Sequence, residues 1–151
     1  MAPLCGFKFH HFGLAVRSDQ TAVQFLTALG YVCGPTVYDG EQNVHLRMCD
    51  HAIQPSVEIV TPGEGDGPLM NILKRHDQLF YHSCYEVDDR TAAIGAIEEI
   101  GLRCIEVSAP RPAVLFGGRL VSFHTIPGYG LIELLSSGLN SVGGGNATGL
   151  S

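Results

Sequence analysis

Two histidines and two glutamates recur along this chain in matched positions. His11 lies in the apolar run KFHHFGLAV (residues 8–16), and His82, 71 residues further on, lies in FYHSCYEV (residues 80–87). Glu58 stands between Val57 and Ile59 in SVEIV, and Glu133 between Ile132 and Leu134 in LIELL. The spacing from histidine to acid is 47 residues in the first case and 51 in the second. Neighbouring side chains of an extended strand point to opposite faces, so each carboxylate faces away from its apolar neighbours. A carboxylate turned into a sheet interior is costly unless it is paired or bound to a metal. Two imidazole nitrogens and two carboxylate oxygens, with positions left for water or substrate, suit one divalent ion such as Zn, Ni, Co, Fe or Mn. His11, Glu58, His82 and Glu133 are therefore candidate metal ligands. Taken singly, each has a plainer alternative, a hydrogen-bonded core histidine or a solvent-facing acid; the duplication favours the metal set.

The elements that must position these residues repeat as well. The first strand, Lys8 to Val16, leads into RSDQTAVQFLTALGY, a helix capped at Ser18 or Asp19 and stopped at Gly30. Strand candidates follow at Tyr31 to Tyr38, Asn43 to Cys49 and Gln54 to Val60, separated by Pro35 and by turns at Asp39-Gly40 and Asp50-His51. The order then recurs: a strand from Phe80 to Val87, a capped helix from Asp88 to Gly101, and strands in LRCIEV, RLVSFHTI and GLIELL. Such a repeat predicts an α+β fold of two βαβββ modules packed around a shared centre. The modules span about 7–62 and 79–135 of a single domain, 7–135. The linker GPLMNILKRH reads as a short helix packed on a sheet edge, and residues 136–151, rich in Gly, Ser and Asn, as a flexible tail.

The remaining histidines are less telling. His10 adjoins His11 but is expected on the opposite face, and His51 and His76 lie near turns. His124 alternates with Ser122 and is compatible with a cavity or with water. His45 and Arg47 share a face of NVHLRM and are candidates to line a pocket, where Arg47 would suit a carboxylate or phosphate.

Composition excludes several classes. Nine Lys and Arg against fifteen Asp and Glu give a formal charge of -6 without a basic run, which disfavours nucleic acid. The longest apolar runs are only strand-sized, so no bilayer-spanning helix is expected. Five dispersed cysteines, odd in number and without a C-x-x-C pair, read as free thiols of a cytoplasmic protein.

HHFGLAV, VEIVTP, GPLMNILKRHDQLFYHSCYEVDD, FGG and LIELL resemble the vicinal oxygen chelate superfamily of glyoxalase I, extradiol dioxygenases, bleomycin-resistance proteins and methylmalonyl-CoA epimerase. The likeness covers residues 8 to 135 and is greatest to epimerase-type members. It implies metal ligands at His11, Glu58, His82 and Glu133, and a metal-dependent epimerase or isomerase that abstracts a proton next to a carbonyl of an acyl-CoA or other thioester. Glu133 is then the expected base and His45 a candidate second acid/base. Position 58 is commonly glutamine in the epimerases and glutamate in glyoxalase I, so a lactoylglutathione lyase is an alternative. A non-catalytic drug- or metabolite-binding resistance protein is another. Open sheet edges and the resemblance together imply a homodimer.

Overall fold

The structure is a computed structural model that describes residues 4–138. The first module consists of β1 (Lys8–Val16), α1 (Gln20–Ala28), β2 (Val32–Cys33), β3 (Val37–Asp39), β4 (Val44–Asp50) and β5 (Val57–Pro62). A linker helix, α2 (Pro68–Leu73), leads to β6 (Gln78–Val87), α3 (Arg90–Glu99), β7 (Ile105–Pro112), β8 (Leu120–Ile126) and β9 (Gly130–Ser136). The strands form one mixed sheet in the order β2-β4-β5-β1-β6-β9-β8-β7, with β3 also paired to β4. In each half the opening strand pairs in parallel with the closing one, β1 with β5 and β6 with β9. The halves join through the antiparallel β1–β6 pair, and the expected tandem α+β architecture is present.

Local chemistry explains the element ends. The Asp89 carboxylate caps α3 by accepting from the Ala92 amide at 3.0 Å. Asp19 occupies the equivalent position at α1 without a side-chain cap; its carboxylate instead meets Arg47 at 3.3 Å. The strand expected from Tyr31 to Tyr38 is two short strands, because the Gly34-Pro35-Thr36 segment interrupts the ladder. Strand β7 starts at Ile105, later than expected. Ser136, assigned to a tail from sequence, is the last residue of β9 and Ser137 is buried; the rest of that segment, from 139 onward, lies outside the described residues.

Apolar clusters cover both faces of the sheet. On the outer face of the first half, Leu14, Val16, Leu26, Cys49, Val57 and Ile59 pack under α1. On the other face, Leu69 and Leu73 of α2 pack on Ala15, Val44, Leu46 and Val60, so the linker helix covers the sheet face rather than an edge. Cys33 and Cys49, directly opposite across β2 and β4, form a disulfide. This corrects the expectation of five free thiols; Cys5, Cys84 and Cys104 lie outside the disulfide. Among the described residues no helix is long and apolar enough to cross a membrane.

Candidate metal centre

The four ligand candidates meet at the junction of the halves, and strand register explains why. Glu58 on β5 lies beside Gly13 on β1, and Gly13 lies beside His82 on β6. One step along, His11 on β1 lies beside Cys84 on β6, and Cys84 lies beside Glu133 on β9. Each row thus holds one glutamate and one histidine on either side of a small residue. Gly13 is required to be small: a Cβ there would collide with the His82 ring. Cys84, its counterpart in the second row, is fully buried.

The two imidazole Nε2 atoms lie 3.3 Å apart. Glu133 Oε1 is 3.2 Å from His11 Nε2 and 3.7 Å from His82 Nε2, and Glu58 Oε1 is 3.7 and 3.8 Å from the same two nitrogens. Donors bound to one zinc-like ion at about 2.0–2.2 Å stand roughly 3–3.6 Å from one another in octahedral or tetrahedral geometry, so the observed spacing fits a shared ion. His11, His82 and Glu133 form the tightest cluster, and Glu58 supplies a fourth donor from the same half as His11. All four residues are buried, and Glu133 Oε1 has no hydrogen-bond partner. The residues are therefore capable of chelating a divalent metal ion, and their chemistry does not choose among the borderline metals.

The electrostatics fit the same purpose. Burial pushes the Glu58 carboxyl up to about 8 and the Glu133 carboxyl up to about 7; the Cys84 thiol and the Arg111 charge hold Glu133 back from rising further. Burial also lowers the pKa of both His11 and His82, His82 the more strongly, which favours the neutral imidazole a metal requires. The Cys84 thiol itself is pushed well up by burial, so it donates to Glu133 as S–H.

A supporting layer fixes the rings. His10 Nδ1 lies 2.8 Å from His11 Nδ1; when His11 Nδ1–H donates to His10, His11 Nε2 keeps its lone pair for a metal. A register shift between Phe9 and His11 makes this contact possible, where plain alternation had placed His10 on the opposite face. The Phe116 ring covers both histidines, at 5.1 Å from His10 and 5.6 Å from His11. Tyr81 and Phe123 flank His82 at 4.4 and 5.3 Å.

Tyr81 and Phe123 also line a cavity of about 410 Å³ that opens beside the ligand cluster. Two charged residues of its wall carry no periodic signal in the sequence, Glu41 and Arg111. Glu41 sits on the turn after β3, which buried Asp39 organises by accepting from the Glu41 and Gln42 amides at 3.0 and 3.2 Å.

His45 and Arg47 are not brought to this cavity. They share a strand face, as expected, but it is the face opposite Glu58: Arg47 pairs with Asp19 and His45 packs on Tyr38 at 5.0 Å. The cross-strand partner of Glu58 is Met48. His51 organises its own turn, accepting from the Ile53 and Gln54 amides at 3.0 Å. His124 is fully buried and bonded to Ser122 Oγ at 2.8 Å.

With the site in view, comparison with known proteins places the chain. The sequence profile of the Glyoxalase/Bleomycin resistance protein/Dioxygenase superfamily matches residues 10–123. No protein of curated function matches. Among solved structures, methylmalonyl-CoA epimerase from Mycobacterium tuberculosis is similar with a TM-score of 0.72 at 17% identity, over 90% of this chain and 91% of that one. A hypothetical protein from Bacillus halodurans matches with a TM-score of 0.72 at 19% identity, over 87% of this chain and 94% of that one. Streptomyces coelicolor methylmalonyl-CoA epimerase in complex with 2-nitronate-propionyl-CoA matches with a TM-score of 0.69 at 22% identity, over 88% and 99%. The profile match across most of the chain, on a fold these structures share, shows that the protein belongs to the glyoxalase/bleomycin resistance protein/dioxygenase superfamily.

Proposed function

We propose that the protein is a divalent-metal-dependent epimerase that removes the proton from the carbon flanked by the two carbonyl groups of a malonyl-type thioester and returns a proton on the opposite face, with methylmalonyl-CoA as the first substrate to test. The observation that carries this reading is the convergence of His11, Glu58, His82 and Glu133 beside a cavity with a further carboxylate, Glu41, in its wall. These four ligands would hold the ion, which supplies positive charge where negative charge develops as the proton leaves. Glu133 is the proposed base, the carboxylate that stands nearest His11 Nε2 in the cluster. Two-base epimerisation needs a second group across the substrate. With His45 on the other face of the sheet, Glu41 takes that role, held by the turn that Asp39 organises. Gly13 and Cys84 keep the ligand rows close, and Phe116, Tyr81 and Phe123 exclude water around the two imidazoles.

Further features support an acyl-CoA. Lys74, Arg75 and His76, after α2, line a second cavity that shares Ile72 with the first, and this cationic wall suits the phosphates of the carrier. The complexed Streptomyces coelicolor relative was solved with a propionyl-CoA derivative. A lactoylglutathione lyase is the second reading, and the observation favouring it is the glutamate at position 58 opposite Glu133. A homodimer is part of the proposal, supported by the exposed ring strip of Phe9, Phe12 and Phe80 on the outer face of the central strands.

Two parallel incubations separate the readings. Metal-loaded protein with methylmalonyl-CoA in heavy water is expected to exchange the α-proton, and with methylglyoxal plus glutathione to form no lactoylglutathione. The reverse pattern overturns the epimerase reading.

A further inference from the structure

Arg111 occupies an unusual setting. It lies between Pro110 and Pro112 on β7, the edge strand of its half. Neither proline donates a ladder hydrogen bond, and each restricts the residue before it. The β7–β8 register slips there: Ser108 lies opposite Phe123, but Arg111 lies opposite Val121, so β7 carries one residue more than its partner over this span. Such a bulge bends an edge strand and re-aims a side chain. Here the arginine lines the cavity beside the ligand cluster, together with Ser108 and Phe123.

Its charge is unspent. Arg47, Arg90 and Arg119 each pair with a carboxylate, whereas the Arg111 side chain makes no ion pair or hydrogen bond among the described residues, and its Nε is buried without a partner. Among the described residues Arg111 is also the one cation in the cavity wall, where Val44, Leu69, Ile72 and Phe123 supply much of the surface. A guanidinium in apolar surroundings is costly until a planar anion meets it, and a carboxylate matches its fork. Its field already reaches Glu133, whose pKa it lowers.

We infer that Arg111 anchors the free carboxylate of the acyl group, so that the cleft selects thioesters whose acyl part is itself an anion over neutral ones of the same shape. This rests on the epimerase reading for the thioester, but concerns recognition and not proton transfer. Lys would keep the charge but not the fork, so charge and geometry can be told apart.

The test is calorimetric binding of two ligands to the metal-loaded protein: methylmalonyl-CoA and 2-methylacetoacetyl-CoA, in which a ketone replaces the carboxylate. Both carry a thioester oxygen and a second oxygen in the same 1,3 relation, carboxylate in one and ketone in the other, so the change each shows between variant and wild type isolates Arg111. Arg111→Met is expected to weaken the anionic thioester by roughly 10- to 100-fold and the neutral one by less than about twofold; Arg111→Lys is expected to fall between. Metal content equal to wild type identifies a variant with an intact site. Equal weakening of both ligands, or of neither, overturns the anchor. If the wild type shows this Arg111-dependent preference but exchanges no proton, the anchor stands and the epimerase reading fails. If the wild type binds neither thioester, both fail.

Discussion

The His82 ring lies over Gly13, so closely that a β-carbon on residue 13 would occupy the space of the ring. The two residues are cross-strand partners on β1 and β6, one from each half of the chain, and the missing side chain lets Glu58 and His82 face the same point. Gly13→Ala should therefore displace the imidazole. Its backbone angle is not in the left-handed region, so the substitution acts through the ring and not through strain. Metal affinity is expected to fall at least roughly tenfold, with retained secondary structure. Titration with a chromophoric chelator checks this, and an unchanged affinity would remove Gly13 from the account.

His10 is expected to act through His11. His10→Ala removes the acceptor for His11 Nδ1–H and should weaken metal binding by roughly 10- to 100-fold, while His10→Gln, which can still accept, should recover part of it. Equal affinities in all three proteins would mean that the 2.8 Å contact has no orienting role.

Metal and pH should be linked in a defined direction. Glu58 and Glu133 have folded pKa values of about 8 and about 7, above the usual 4.5. Their contribution to apo-protein stability is present below pH 4.5 and is lost as pH rises through those values. His11 and His82 are shifted the other way, so their contribution is present above 6.5 and is lost as pH falls through their lowered values. A bound cation removes the carboxylate penalty. The rise in Tm on adding metal should be larger at pH 8 than at pH 6, and binding at pH 6 should release more protons. Thermal melts and calorimetry in buffers of different ionisation enthalpy measure both.

Glu41→Gln is expected to lower epimerisation by roughly 10²- to 10⁴-fold, with metal content unchanged because Glu41 is outside the ligand cluster. Asp39→Ala should have a smaller effect of the same sign by releasing the turn. Proton exchange and epimerisation followed separately in heavy water distinguish loss of one base from loss of both.

Reduction should cost stability and spare the site. The Cys33–Cys49 bridge closes a separation of 16 residues, for which chain entropy supplies at most about 3 kcal/mol. Because Cys49 packs on the α1 side of the sheet, the Cys33→Ser/Cys49→Ser protein should melt lower yet bind metal normally. Thiol titration of the denatured, unreduced wild type should find three thiols, those outside the disulfide.

The duplicated histidines and glutamates were legible because a strand's period of two fixes which side chains share a face, and a repeat fixes which strands correspond. What alternation does not supply is which face looks into the cleft. His45 and Arg47 do share a face, but both faces of that half are covered, one by α1 and the other by α2. Departures from regularity were hidden for the same reason. His10 reaches His11 through a register shift, Arg111 is aimed by a bulge, and Glu41 is carried on a turn. The disulfide depends on β2 returning opposite β4, a long-range pairing that cysteine spacing does not encode.

The central claim is that one divalent ion joins the two halves of the chain at His11, Glu58, His82 and Glu133. Anomalous diffraction from crystals of protein purified without chelator, recorded on both sides of the absorption edge of the metal found, tests it most directly. A single peak is expected within about 2.0–2.2 Å of the two Nε2 atoms and of a carboxylate oxygen from each glutamate. A metal-replete protein whose peak lies elsewhere, or no peak with the four side chains hydrogen-bonded to one another, would contradict it.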